Sequence, residues 1–329
     1  MGKQYLFTGD PDIDYSGERM LQQLEAWVNS SELANIVSSF DGTLPADFSL
    51  EEKISWLLEF SERWDYRKKQ KTQDKTTGEN VRWKVSNKSI TAEQEKAVHD
   101  AIYPLGLIGV QIPECKSFDY ILALGGARYS CLYRPQYIEY LLENNIVKAK
   151  EIVLLSGMRP VSASEREATV TYAPQALTEY DLINAGAETS FHLEKNFHEE
   201  SYHNENINLN WAIRKYQTEN RISVNSYSGP SSEPEARRAN SSDTYKFFLE
   251  KRKVQPGSRL LLVTSQIYVP YQQIEAVRTL GIPYGLYIET VGFPTEWGKK
   301  LQGMMETANY LQEIRSAIQA AARTIKSIS

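Results

Sequence analysis

From residue 118 onward the chain alternates short, almost continuously apolar runs with stretches of helical periodicity. The runs are DYILALGG (119–126), EIVLLSG (151–157), RISVNSYSG (221–229), SRLLLVTS (258–265) and YGLYIET (284–290). Apolar residues on successive positions fit strands buried on both faces, as in a parallel sheet. Helical stretches separate them at 134–145, 164–186, 238–253 and 271–281, and a long helix follows at 302–327. Such alternation predicts βαβ units with right-handed crossovers. The expected class is α/β, a doubly wound, mostly parallel five-stranded sheet. Residues 188–217, rich in His, Asn and Glu, look like a polar insertion before the third strand, placed as a lid over the strand ends.

Residues 1–117 follow a different pattern. Met20, Leu21, Leu24, Trp27 and Val28 recur at helical spacing within a predicted helix over 18–40. Ser49 with Glu52, and Thr91 with Gln94, have the spacing of capping boxes ahead of apolar-periodic segments. Residues 73–89 are polar and read as a loop or small hairpin. The expected organisation is a helical region over 1–117 and an α/β domain over 118–329 that ends in the long helix. Neither internal repeats nor low-complexity segments interrupt it.

Composition narrows the class. The 329 residues are 41% hydrophobic and 11% aromatic, which fits a folded globule. The 37 basic and 42 acidic side chains are unevenly spread: residues 1–117 carry 14 basic and 19 acidic groups, so the excess negative charge lies there. A nucleic-acid-binding domain is usually net basic, and neither region is. The basic run from Arg63 to Lys75 reads as a solvated helix end and loop. No apolar run approaches the ~20 residues of a membrane span. The start, MGKQYLFTGD, has no apolar signal core, and Leu6 breaks the myristoylation pattern. Cys115 and Cys131, the only cysteines, read as packing thiols in a reducing compartment. A soluble, cytoplasmic protein is expected, without membrane or nucleic-acid partners.

In open α/β sheets ligands bind beyond the carboxyl ends of the strands. That rule nominates Gly125, Gly126 and Arg128 after the first strand, Ser156, Gly157 and Arg159 after the second, and residues 226–232 after the third. After the fourth it nominates Thr264, Ser265 and Gln266. Small residues let backbone N–H groups approach an anion, and helix N-termini add partial positive charge. Arg237 and Arg238 precede a helix start capped by Asn240 or Ser241, where an anionic ligand would use both guanidiniums. Pairing with Glu233, Glu235 or Asp243 is the competing account. No Walker, GxGxxG or GxSxG pattern follows a strand. Asp10, Asp12 and Asp14 open like a calcium loop, but Tyr15 and Leu21 occupy its Gly and Glu positions, so a helix-capping turn is expected. The histidines of HEESYH are five apart and diverge on a helix, so no metal site is assigned; His198 is kept as an acid–base candidate on the lid.

The succession ILALGGA, IVLLSG followed by SERE, RRANSSDTY and LLLVTSQIYVPY resembles the YdcF-like, SanA-like and ElyC-like bacterial family over residues 118–290. Gly125 and Gly126 match its first element, Ser156 and Gly157 its second, and Glu165 or Glu167 its acidic position. Asn240, Ser241 and Asp243 match its helix start, and Val263, Thr264 and Ser265 its last strand. The family's second Gly is Met158 here, its His is Tyr268 and its Arg is Tyr271. The resemblance implies a Rossmann-like fold and a nucleotide-like ligand, with S-adenosylmethionine for some members.

Two functions remain open on these readings. One is an enzyme acting by transfer or hydrolysis at a phosphate or glycosyl centre of a small phosphorylated or nucleotide-like metabolite. Glu165, Glu167, Asp243 and His198 are its candidate acid–base groups. The other is a non-catalytic ligand sensor whose N-terminal helices bind a protein partner. The ligand-binding set is common to both.

Overall fold

The computed structural model describes residues 4, 5, 7, 17–69, 87, 89–218, 222–302 and 305–328. The aspartates of 10–14, nearly all of 73–89 and the basic run beyond Lys69 lie outside the described residues. In chain order the helices begin with α1 (Glu18–Val28), α2 (Ser31–Ser39), α3 (Leu50–Phe60), α4 (Tyr66–Lys69) and α5 (Ala92–Ala101). Then come β1 (Ser117–Leu124), α6 (Ser130–Glu143), β2 (Lys148–Ser156), α7 (Ala163–Thr169), α8 (Glu179–Ser190), β3 (Phe197–Tyr202), β4 (Trp211–Tyr216) and β5 (Ser223–Ser228). The chain continues with α9 (Ser241–Arg252), β6 (Arg259–Ser265), α10 (Val269–Ala276), α11 (Ile282–Tyr284), β7 (Tyr287–Phe293), α12 (Thr295–Gln302) and α13 (Thr307–Ile328).

These elements form two compact units that are not contiguous in sequence. One comprises Met1–Val110, Gln266–Pro283 and Pro294–Ser329; the other comprises Gln111–Ser265 and Tyr284–Phe293. The long terminal helix, expected to close the α/β domain, therefore belongs to the helical unit. Its apolar side chains explain why: Leu311, Ile314, Ile318 and Ala321 are buried in one core with Leu24, Trp27, Ile54, Leu57 and Trp64. Both expected capping boxes form, Ser49 with Glu52 and Thr91 with Gln94. The single helix expected over 18–40 is two, because the Ser30 side chain accepts the Leu33 N–H and starts α2.

The α/β unit is built on a seven-stranded sheet of order β3-β4-β5-β2-β1-β6-β7. All five expected strands are present, and β5-β2-β1-β6-β7 pair in parallel. The expected count of five was low because the polar insertion itself makes two strands, β3 and β4, which pair antiparallel and extend the sheet from β5. Polar composition concealed them: β3 is an outer strand, exposed over most of its length. The insertion is thus a lateral hairpin, not a lid. Only its tip reaches the level of the strand ends, where the Asn208 carbonyl accepts the Ser231 N–H at 2.8 Å.

Cross-strand partners in a sheet share a face and neighbours along a strand alternate. Tyr227 packs on Phe248 of α9, with ring centroids 5.3 Å apart. Ser228, the next residue and the partner of Ser156, therefore faces the opposite side. Arg134 of α6 and Glu179 of α8 approach Gly125 on that opposite side. So α6 and α8 cover one face and α9 the other.

The expected helix over 164–186 breaks into α7 and α8. Pro174 interrupts it, and Thr178 with Asp181 caps the new start. Two residues then fix the packing of α8 on α6. Pro135, inside α6, has no N–H, so the Cys131 carbonyl lacks its usual donor four residues on. Gly186 of α8 lies directly against that carbonyl, where a Cβ would collide with it. Alanine is normally the better helix former by ~1 kcal/mol. Here Gly186→Ala is expected to destabilise the protein by about 1–3 kcal/mol, the usual range for overpacking. Urea denaturation of the variant checks it, and a gain in stability would contradict the packing.

Candidate functional site

Each parallel strand of the α/β unit ends in small or polar residues, and the register sorts them by face. Ser156 and Ser228 are paired on neighbouring strands. Gly125 falls beside Ser156, because a Cβ there would lie 2.8 Å from the Ser156 Cβ. Continuing the β1–β6 register from Ala123 and Val263 brings Ser265 beside Gly125. Ser265, Gly125, Ser156 and Ser228 therefore form a row on the face covered by α6 and α8. Thr264, also buried, points to the other face, away from Ser156. The hydroxyls of Ser156, Ser228 and Thr264 are buried with no hydrogen-bond partner.

Arg134 underlies this row. Its guanidinium, 3% exposed, donates from Nη1 to the Leu124 and Gly125 carbonyls and from Nη2 to Ser265 Oγ at 3.3 Å. A side chain on Gly126 would meet Arg134 Nη1 at 2.9 Å and the Ser130 Cβ at 3.0 Å, so glycine is what fits. Arg128, in the same β1–α6 loop, adopts a left-handed conformation at φ 53°, which costs a non-glycine residue about 1 kcal/mol or more. Tyr172 clasps the loop from outside, its hydroxyl donating to the Arg128 carbonyl at 2.7 Å.

Arg159, after β2, is the charged centre. It donates from Nη1 and Nη2 to the two oxygens of Glu165, at 2.7 and 2.9 Å, and from Nε to Glu179 Oε2 at 3.0 Å. Glu165 closes a capping box as well, accepting the Ser162 N–H at 3.1 Å. Burial pushes the Glu165 carboxyl up, but Arg159 and the Ser162 contacts outweigh it and hold the group below the usual carboxylate range. Burial likewise opposes the charge on Arg159, and Glu179 and Glu165 reverse that effect.

Asp243 is held in the same way beside β5. It caps α9 with Asn240, accepts the Ser232 N–H and takes both terminal nitrogens of Arg237. Arg237 also bonds Ser232 Oγ at 2.9 Å and pairs with Glu233 at 3.4 Å. The competing account thus prevails over the anion clamp: Arg237 is engaged by its own chain, and Arg238 is exposed beside it.

The other nominated residues separate. Gly157 is partly exposed after β2, and a Cβ there would have 3.9 Å of clearance. Glu167 is exposed on α7. His198 lies on β3, three strand spacings from β2, about 14 Å away at ~4.8 Å each, paired at 3.6 Å with Glu200. That removes it from the acid–base set. Gln266 and Tyr268 belong to the helical unit, where Gln266 donates to the Gly106 carbonyl and Tyr268 packs on the core. Among the described residues no group of His, Cys, Asp and Glu is arranged to hold a metal. Cys131 is fully buried, and burial pushes its thiol up to about 12, which leaves it unreactive. Among the described residues no helix is long and apolar enough to cross a membrane.

Sequence reasoning missed Arg134 and Glu179. The helix expected over 134–145 begins at Ser130, so Arg134 lies a turn inside α6 and not at its start. Glu179 was hidden inside the overlong helix expected over 164–186. The Thr178–Asp181 spacing was the signal that would have exposed it.

Comparison with known proteins redirects the family assignment. The family model of the Rv3785 N-terminal domain matches residues 12–106. The uncharacterized protein Rv3785 of Mycobacterium tuberculosis (strain ATCC 25618 / H37Rv) is 31% identical over 342 residues, covering 98% of this chain and 93% of that protein. The chain belongs to the Rv3785 family. The uncharacterized protein Mb3814 of Mycobacterium bovis shows the same identity and coverage. No solved structure matches significantly. The resemblance to the YdcF-like, SanA-like and ElyC-like family is thereby overturned, and the S-adenosylmethionine expectation that rested on it goes too. Its motifs were short strand endings, Gly-Gly, Ser-Gly and Thr-Ser, which parallel sheets favour for geometric reasons. The Rv3785 signature lies instead in the region that the resemblance left out.

The Asp243 cluster makes a pH prediction. Burial raises the carboxyl, but Arg237, the Asn240 N–H and Ser232 lower it further, to about 2 from an ordinary 3.8. A carboxylate depressed on folding stabilises above its unfolded pKa and loses that contribution as pH falls through its folded pKa. Arg237→Ala is expected to cost about 1–2 kcal/mol at pH 7. The deficit should shrink as pH falls from 5 toward 2, read by urea melts of both proteins. A deficit independent of pH would mean that the pair does not hold Asp243.

Proposed function

We propose that the α/β unit binds a small phosphorylated or nucleotide-like metabolite at the carboxyl ends of its parallel strands. In this reading the sheet is doubly wound and Rossmann-like. The order β5-β2-β1-β6-β7 supports it, because successive parallel strands add outward from β1 first on one side and then on the other. The reversal lies between β1 and β6, beside the loop Gly125–Tyr129.

One observation carries the proposal. Among the helices described in this unit, α7, α8 and α9 close their N-termini with their own capping boxes. Helix α6, 14 residues long, has neither a side-chain cap nor an acidic residue in its first turn. It follows directly on Gly125 and Gly126, with Arg128 in the loop. The first-turn N–H groups of Ser130 and Leu132 are met by backbone carbonyls alone, so the helix dipole and the nearby guanidinium are what suit a phosphate. Binding without catalysis is the version that the acid–base groups favour, since Glu165 and Asp243 are each locked as an ionised partner of an arginine. The helical unit then supplies the contact to a protein partner. It holds a groove of about 960 Å³ with the stacked Trp56–Phe60 pair and the carboxylates of Glu59, Glu62 and Asp65 in its wall. A catalytic version, transfer or hydrolysis at a phosphate or glycosyl centre, has Glu179 as its base, because only one of its oxygens is engaged by Arg159.

Arg128→Gly tests the anion site. It removes the guanidinium while glycine accepts the left-handed backbone without strain. Affinity for AMP or inorganic phosphate should weaken by roughly 1.5–3 kcal/mol, the range for a charged hydrogen bond. Calorimetric titration reads both proteins. A wild-type chain that binds no phosphate-bearing compound in a thermal-shift panel of nucleotides and sugar phosphates would sink the proposal.

A further inference from the structure

We infer that the protein partner of the helical unit presents an arginine to its groove, with the guanidinium on Trp56 and a neighbouring backbone carbonyl on Arg315; this rests on the protein contact proposed above. The groove, about 960 Å³, is at the upper end of ligand pockets, and its wall belongs wholly to the helical unit. It opens where α2 and α3 end. Neither helix has a basic residue in its last turn, so both carboxyl ends bring partial negative charge. Asp41, Glu59, Glu62 and Asp65 add four carboxylates to the wall. Three cations share it, and two are engaged elsewhere. Arg63 donates from Nε to the Phe60 carbonyl at 3.0 Å and from Nη1 to the Phe40 carbonyl at 2.8 Å. Arg315 donates from Nη1 to the Leu58 carbonyl and to Ser61 Oγ. The third, Lys68, is exposed on α4. Among the described residues no ion pair or hydrogen bond engages the carboxylates of Asp41, Glu59 and Glu62, and Asp65 stands 3.8 Å from Arg315.

Arg63 shows how a guanidinium is received here. It lies over Phe60, 3.9 Å from the ring centroid, and Trp56 stacks on the same ring at 4.7 Å and 14°. Two planar groups that close cannot share one face, so Arg63, Phe60 and Trp56 form a column that ends on the half-buried indole. Trp56 and Glu59 are three apart on α3 and therefore neighbours on its surface. A second guanidinium on the indole gains a cation–π contact and a carboxylate together. Arg315 adds the complementary demand. It is 7% exposed and lines the groove, yet its guanidinium is not saturated. Its Nε has no hydrogen-bond partner, and Nη2, which makes no hydrogen bond among the described residues, is the nitrogen left to a ligand. A phosphate or a nucleic acid would meet the carboxylates, and a polyamine has no acceptor for Arg315. A peptide arginine brings a planar cation and a carbonyl in one residue.

The test is calorimetric titration of the full chain with an acetylated, amidated glycine pentapeptide that carries one central arginine. Its citrulline counterpart, agmatine and spermidine are the comparisons. The arginine peptide should bind at least tenfold more tightly than the citrulline peptide, which keeps the shape and loses the charge. It should also bind at least fivefold more tightly than agmatine, which keeps the guanidinium and lacks the carbonyl. Glu59→Gln combined with Glu62→Gln, both at exposed positions, should remove the arginine preference and leave the melting temperature unchanged. A preference that survives in this double variant overturns the groove as its site. Equal binding of the arginine and citrulline peptides overturns the arginine selection and leaves the protein contact standing. Agmatine or spermidine bound as tightly as the peptide overturns the protein contact and marks a site for small cations. Binding of none of the four overturns both.

Discussion

A buried guanidinium cannot give up its proton, so the chain around Arg159 must arrange carboxylates to meet it. It does so with residues from the starts of two helices. Glu165 brings in the first turn of α7, and Glu179 brings in the first residue of α8. The backbone repeats the arrangement: the Glu179 N–H donates to the Arg159 carbonyl at 2.8 Å, and the Val161 N–H to the Leu177 carbonyl at 2.9 Å. The whole excursion between β2 and α8 is closed on one side chain. Removing Arg159 would leave two carboxylates in poorly solvated positions, which is why such pairs are costly to break from one side.

That closure decides what the strand ends present. It places Glu179 over Gly125 and confines Glu165 to a structural part, although Glu165 had the position of a catalytic acid in the chain. Asp243 follows the same logic on the other side of β2. A carboxylate that caps a helix and pairs with an arginine is held ionised and has no proton to give at neutral pH. Among the described residues the groups at the strand ends with unsatisfied capacity include the hydroxyls of Ser156, Ser228 and Thr264, and helix α6 starts there without a side-chain cap.

The packing of α6 and α8 supports the same geometry. Pro135 and Gly186 meet at the Cys131 carbonyl, one by withholding a donor and the other by withholding a side chain. Close approach of α8 to α6 keeps Glu179 within reach of Gly125, and it buries Cys131 beyond the range of thiol chemistry.

The local pattern of the chain determined a good deal. Continuous apolar runs identified most of the five parallel strands, because burial on both faces leaves no polar alternation, whereas β5 carries Ser223, Asn225, Ser226 and Ser228. Ser49 and Thr91 announced their helix starts, because a capping box is satisfied within four residues; of the two caps open for α9, Asn240 or Ser241, the structure uses Asn240. The strand-end rule nominated Gly125, Gly126, Ser156 and Arg159, which do lie together. Tertiary structure alone decided the remainder. The β3–β4 hairpin is stabilised by pairing to β5, not by its own apolar content, so its polar sequence concealed it. The terminal helix is assigned by the core it fills with residues from the first hundred positions. Whether Arg237 meets a ligand or Asp243, and whether Thr264 shares a face with Ser156, depends on contacts between residues far apart in the chain. Charge and residue type specify what a side chain can do, and only the fold specifies which partner reaches it first.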